Sequence, residues 1–256
     1  MPIGSRGHRA AARSSHPNLR TVLVTGGSRG IGRAICLEFA RAGWRVGIHY
    51  RERHDEADRT ARMVKDCGGE GTTYQADIRD GQQVQAMLKR CVARWGQLDV
   101  MICNAGQAAS GLVLRIRPEE WATLIAVNLT GTFHCLRAAG RRMLTQRDGS
   151  VVVVASFAGL QGNPGQAAYA ASKAGLLGLV RSAAREWGHH NVRVNVVLPG
   201  WHPTELSGTT MPEADDLGDH VLARSTDLEA VARTVYHLSL LRDTSGQVWN
   251  LDSRIC

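Results

Sequence analysis

The chain has 256 residues, 43% of them hydrophobic and 21% charged, with a formal net charge of +8. That length can bury the core of one large α/β domain or two small ones, and the composition is ordinary for a soluble globular protein. No run approaches the eighteen or so apolar residues of a membrane span, so an integral membrane protein is not expected.

The first eighteen residues contain Arg6, Arg9 and Arg13 and no acid; the first acid is Glu38. A transit peptide can be Arg- and Ser-rich in this way, but the segment has no convincing amphipathic pattern. Residues 1–18 are expected to be a disordered basic tail and residues 19–256 a folded domain. From Leu19 onward, short β-branched runs alternate with helical patterns. A strand over 20–26 leads into a helix over 30–43, closed by Gly43. A strand (44–50), a helix (55–69), a strand (70–77), a helix (81–96) and a strand (98–106) come next. A long helix covers 118–146. After it come a strand (149–156), a helix (169–188), a strand (192–200), a helix (227–241) and a last strand (246–252). Alternation at this spacing predicts right-handed crossovers: one doubly wound α/β domain, with a mostly parallel seven-stranded sheet and helices on both faces. Ligands of such sheets sit at the carboxyl ends of the strands.

Charge distribution argues against nucleic acid as a partner. Beyond the tail the basic residues are interspersed with acids, and no basic stripe with interleaved aromatics occurs. The six cysteines form neither a CxxC pair nor a Cys/His spacing that would hold zinc. No metal site is expected, and the cysteines suit a reducing cytoplasm.

After the first strand stands TGGSRGIG, with Gly26, Gly30 and Gly32. Strand, glycine turn and helix together let backbone amides approach a pyrophosphate at the positive end of the helix. At the end of the second strand an acid would bind a ribose 2′-hydroxyl and repel a 2′-phosphate. Tyr50 and Arg51 stand there instead, and Arg29 lies inside the turn. Two guanidiniums can make charge-assisted bonds to a phosphate, so NADP(H) is the expected cofactor; the competing reading is two ordinary surface arginines.

In YAASK, Tyr169 and Lys173 lie one helical turn apart and leave the same face. A free tyrosine titrates near ~10. An ammonium about 4 Å from the phenolate, at an effective dielectric of ~20, stabilises it by roughly 4 kcal/mol. That predicts a phenol near ~7, fit to give a proton to a carbonyl oxygen. Only Lys65, Lys89 and Lys173 are lysine among 31 basic residues, which suggests that a compact ammonium is required at Lys173.

These motifs together, in the form TGxxxGxG, NAG, Ser156 and Tyr169-x-x-x-Lys173, resemble the short-chain dehydrogenase/reductase family over 19–252. The resemblance implies a Rossmann domain and a catalytic set of Asn128, Ser156, Tyr169 and Lys173. In it Ser156 bonds the substrate oxygen, Asn128 keeps a proton-relay water, and Lys173 also holds the nicotinamide ribose. It implies cofactor contacts from Thr25, Gly26, Ser28, Arg29, Gly30, Ile31 and Gly32, and from Tyr50 and Arg51. Asp77, at the adenine edge, and Ile78 belong to the same set, with Asn104, Ala105 and Gly106, where Cys103 replaces the usual first Asn of NNAG. Tyr169, Lys173 and the LPGWHPTEL residues Pro199, Gly200, His202 and Thr204 complete it. Residues 207–219, polar and Gly-rich, fit a substrate lid.

Within the family, GQAAYAASKAGLLGLVRSAARE and NVRVNVVLPG resemble 3-oxoacyl-[acyl-carrier-protein] reductases. That implies reduction of a 3-oxoacyl thioester on acyl carrier protein or CoA, in fatty acid or polyketide biosynthesis. It places Arg147 and His190 beside the active-site mouth as carrier-docking residues, with Arg141 and Arg142 as helpers. It also implies a homodimer or homotetramer packed along the small-residue stripe of Ala170, Ala174 and Gly178. Two features depart from that pattern: a short lid and a terminal NLDSRIC with Arg254 in place of a glycine. The alternatives are an NADP-dependent alcohol, sugar or steroid dehydrogenase, and a non-catalytic cofactor-binding regulatory protein.

Overall fold

The computed structural model describes residues 19–200, 202, 220–222, 224 and 226–255. The basic tail, Thr204 and the lid over 207–219 lie outside the described residues.

Seven strands form one sheet: β1 (Thr21–Val24), β2 (Arg45–Tyr50), β3 (Glu70–Gln75), β4 (Val100–Cys103), β5 (Gly149–Val154), β6 (Val192–Leu198) and β7 (Val248–Asn250). Their order is β3-β2-β1-β4-β5-β6-β7, and every pairing is parallel. The expectation of a mostly parallel sheet is thus exceeded. Val151, Val152 and Val153 on β5 are fully buried, as expected of a central strand covered on both faces. Each such side chain contributes ~1.5–3 kcal/mol by leaving water.

Three helices, α1 (Gly30–Arg41), α2 (His54–Asp66) and α8 (Leu228–Leu240), share a core with one face of the sheet. On the other face lie α3 (Gly81–Trp95), α5 (Gly131–Gln146) and α7 (Ala167–Trp187). Among the described residues, two short helices complete the set of α-helices, α4 (Pro118–Leu124) and α6 (Ala158–Gln161). No described helix is long and apolar enough to cross a membrane.

The long helix predicted over 118–146 is present but not uniform. Between α4 and α5 the residues Ile125–Thr130 form a π-helical turn, which inserts extra chain without ending the helix. Sequence periodicity does not reveal such a turn, because the apolar stripe runs on through it. Four-residue α6 is too short for any periodic signal. The strand order reverses between β1 and β4, and a doubly wound sheet opens its crevice at that point.

Candidate active site

At the end of β1 the chain leaves the sheet and needs new partners for its polar backbone. Thr25, almost fully buried, pins two loops together. Its hydroxyl donates to the Ile102 carbonyl at 3.2 Å and accepts from the amides of Asn104 at 2.9 Å and Ala105 at 3.1 Å. The Asn104 side-chain amide donates back to the carbonyls of Thr25 at 3.0 Å and Gly26 at 3.3 Å. Gly26 has φ +64°, in the region that favours glycine. At Gly32 a Cβ would lie 2.1 Å from the Gly26 carbonyl oxygen, so no other residue fits that approach. No side chain caps the amino end of α1 at Arg29, and its first turn carries no acid. A phosphate suits such an end, where backbone amides and the helix dipole both favour negative charge.

A cleft of about 220 Å³ opens beside this turn. It gathers most of the expected cofactor residues: Gly26, Ser28, Arg29, Gly30, Ile31 and Gly32 from the turn; Tyr50 and Arg51 after β2; Asp77 and Ile78 after β3; and Asn104, Ala105 and Gly106 after β4. Thr25 is not in the lining but beneath it. Pro199, Gly200 and His202 come after β6 outside this cleft, and a Cβ at Gly200 would lie 2.9 Å from an Asp252 carboxylate oxygen.

The cleft also holds residues that sequence reading missed: His49, Glu52, Arg53, Gln107 and Val127. Arg53 had a visible signal, the repeated arginine of YRERH two residues after Arg51. Burial lowers the affinity of the Arg29 guanidinium for its proton, repulsion from Arg53 adds to this, and Glu56 opposes it. Arg51 pairs with Glu52 at 2.8 Å. Tyr50 shares a hydrogen bond with His54 Nδ1 at 2.9 Å. Asp77 accepts from Arg79 Nε at 2.9 Å and from the Arg79 amide at 2.9 Å. The Arg79 side chain is the main cause holding this carboxyl below the usual range.

Beyond Gly106 the cleft meets the second group of residues. A Cβ on Gly106 would stand 3.1 Å from Asn128 Oδ1 and 3.6 Å from Lys173 Nζ. Asn128 is fully buried in the π-helical turn. Its Oδ1 accepts from the Gln107 amide at 2.8 Å, while Nδ2 donates to the Gln107 carbonyl at 2.9 Å and to Ser172 Oγ at 3.0 Å. Its side chain is therefore a clamp on the loop after β4. Its backbone carbonyl accepts from the Thr132 hydroxyl at 2.7 Å. Ser156, just past β5, accepts from the Ala158 amide at 3.2 Å, and among the described residues it is the one group that favours ionisation of the half-buried Tyr169.

The Tyr169–Lys173 pair shares one face of α7 as expected, but its electrostatics differ from the expectation. Lys173 is buried and donates to the Val154 carbonyl at 2.9 Å, with Nζ 5.7 Å from the centre of the Tyr169 ring. Burial pushes the Tyr169 phenol up, with Ser156 working the other way. Burial also pulls the Lys173 ammonium down to about 8. The protein alone therefore does not bring the phenol to ~7: desolvation dominates, and the ammonium is directed at a carbonyl.

The carrier-docking residues need a second correction. Arg147 is the left-handed C-cap of α5 and precedes β5, and His190 closes a short 3-10 turn before β6. Both stand at the amino edge of the parallel sheet, a strand length of roughly 20 Å from Ser156. Arg142 serves the same edge, donating to the Gly96 carbonyl at 2.6 Å. One protomer does not present these residues at its own mouth. The stripe on α7 does face outward, with Ala174 and Gly178 exposed.

The short chain dehydrogenase family model matches residues 20–215. A 3-oxoacyl-[acyl-carrier-protein] reductase FabG of Staphylococcus aureus is 38% identical over 222 residues, covering 86% of this chain and 90% of the relative. A 3-oxoacyl-[acyl-carrier-protein] reductase of a Synechocystis species is 35% identical over 237 residues, covering 91% and 95%. Among solved structures, an NAD+-bound xylitol dehydrogenase superposes with a TM-score of 0.85 at 27% identity, covering 91% of this chain and 98% of that one. With the parallel sheet, the glycine turn and the Ser156–Tyr169–Lys173 cluster in place, the chain belongs to the short-chain dehydrogenase family of oxidoreductases.

Proposed function

We propose that this chain is an NADPH-dependent reductase of 3-oxoacyl thioesters. The observation that carries the reading is buried Lys173 with its Nζ 5.7 Å from the Tyr169 ring centre, beside Gly106 of a cleft that holds Arg29, Arg51 and Arg53. The names of the 35–38% identical relatives support the 3-oxoacyl substrate.

The cradle fits a dinucleotide, because the Gly32–Gly26 approach leaves backbone where a phosphate needs it. Arg29, Arg51 and Arg53 would hold a 2′-phosphate, and Asn104 to Gly106 would flank the nicotinamide half. When bound, the nicotinamide supplies the hydride for the keto carbon. Tyr169 gives its proton to the keto oxygen; burial keeps the phenol protonated at neutral pH, the form an acid needs. Ser156 orients that oxygen through its hydroxyl. Lys173, turning from the Val154 carbonyl towards the developing phenolate, supplies the charge that the resting phenol lacks. Asn128 holds the Gly106–Gln107 backbone so that the wall of the site stays in place.

Carrier docking through Arg147 and His190 requires that these residues join the mouth of another subunit, and the outward Ala170–Ala174–Gly178 stripe supports such an assembly. The second reading, a polyol or sugar dehydrogenase, is favoured by the xylitol dehydrogenase likeness. The test is a panel assay: purified protein, NADPH or NADH, and acetoacetyl thioesters beside xylulose and simple ketones. Faster NADPH oxidation with the thioesters supports the proposal. Turnover confined to sugars with NADH overturns it.

A further inference from the structure

At the end of β2, facing the glycine turn, sits His49, a histidine that none of the chemistry above uses. It is 2% exposed and lines the cofactor cleft. The last residue of β1, Val24, pairs with Ile48, so His49 stands one step beyond the ladder, where the chain bends away and its amides lose their sheet partners. Two of these amides turn to His49. The Gly27 amide donates to its carbonyl at 3.0 Å, and the Gly26 amide donates to its ring Nδ1 at 3.0 Å. On the other side of the ring, Nε2 lies 3.0 Å from the Ala76 carbonyl, next to Asp77.

These contacts fix the tautomer. Nδ1 accepts, so the proton is on Nε2, which donates to Ala76. The ring is neutral, and burial depresses its proton affinity to about 4, with the Ala76 carbonyl and Asp77 opposing that shift. A charged ring would set a second N–H against the Gly26 amide.

We propose that His49 is a positioning residue for the dinucleotide: its neutral ring accepts the Gly26 amide and donates to Ala76, setting the glycine turn at a fixed spacing from the Asp77 wall. The inference rests on reading the cleft as a dinucleotide site and is independent of the substrate. Gly26 is the residue whose carbonyl meets Gly32, so a turn freed at its amide loses the close approach that exposes the α1 amides.

The two amide side chains separate this role from packing. In His49→Asn the amide oxygen takes the place of Nδ1 and keeps the acceptor. In His49→Gln the amide nitrogen takes the place of Nε2, keeping the donor and losing the acceptor. Titrating NADPH by its fluorescence, we expect H49N to bind within about threefold of the parent chain and H49Q about tenfold or more weaker, the worth of one hydrogen bond. In turnover, KM for NADPH rises in H49Q while kcat at saturation is unchanged. Equal weakening in both variants, or parental binding in H49Q, overturns the proposal. The parent chain supplies a check that needs no variant: nitrogen NMR of the His49 ring must show an unprotonated Nδ1, and an Nδ1–H tautomer overturns it. A parent chain that binds neither nicotinamide nucleotide overturns the cleft reading together with this inference.

Discussion

Around the glycine turn, backbone and side chains answer one another: Thr25 joins two loops, Asn104 holds two carbonyls, and His49 takes the Gly26 amide. Beyond Gly106, Lys173 is equally buried but directs its charge at the Val154 carbonyl, and burial pushes the Tyr169 phenol up. Both regions lie along the carboxyl edge of the same sheet. The first is built for position, in the folded chain by itself. The second holds unfavourable electrostatics that a bound ligand can relieve, which is how active sites come to be less stable than their scaffolds. Rigidity and reactivity are here assigned to neighbouring regions, one on each side of Gly106.

Substitutions can break that contrast at either end. The largest effect is expected from Tyr169→Phe, which removes the proposed proton donor: turnover falls about a thousandfold, while fluorescence titration finds NADPH binding nearly unchanged. If both fall together, the two ends are not separable. Gly32→Ala attacks the other end. A methyl 2.1 Å from the Gly26 carbonyl oxygen forces the turn open, so NADPH binding weakens by about a hundredfold, with a lowered Tm as the second readout.

Arg51→Asp sharpens the cofactor question. A carboxylate replaces a proposed phosphate partner, so the ratio of kcat/KM for NADPH over NADH is expected to fall by about tenfold or more. An unaltered ratio removes Arg51 from the proposed phosphate site.

The smallest effect is one of stability. His49 titrates at about 4 when folded and near ~6.5 when unfolded. Its depressed affinity leaves stability intact above that upper value and erodes it as pH falls towards the lower one. Between pH 7 and pH 5 the loss is about 2 kcal/mol, or a few degrees of Tm, and H49N should remove this part of the acid dependence.

Much of this was legible in the residues. Strand–helix alternation and the glycine turn are local patterns, and they fixed the sheet and most of the cleft. Tyr169 and Lys173 could be placed on one face of a helix because helical geometry is regular. Their proton affinities could not be read, because these depend on how much water the surrounding fold removes. Arg53 and His49 escaped because their roles depend on how β2 ends against β1. The edge on which Arg147 stands is readable too: a residue before a strand of a parallel sheet lies at the edge opposite the residue after it, so Arg147 can reach a mouth only in another subunit.

The π-helical turn at Ile125–Thr130 makes the count of residues there matter more than their kind. Deleting one would let α4 and α5 fuse into an ordinary helix, a gain in regularity. A π turn holds about one extra residue in the same rotation, so the flanks would keep their faces and the change would fall on the turn itself, carrying the Asn128 amide away from the Gln107 backbone. Homologous chains free to vary almost every side chain in this segment should still be unable to shorten it.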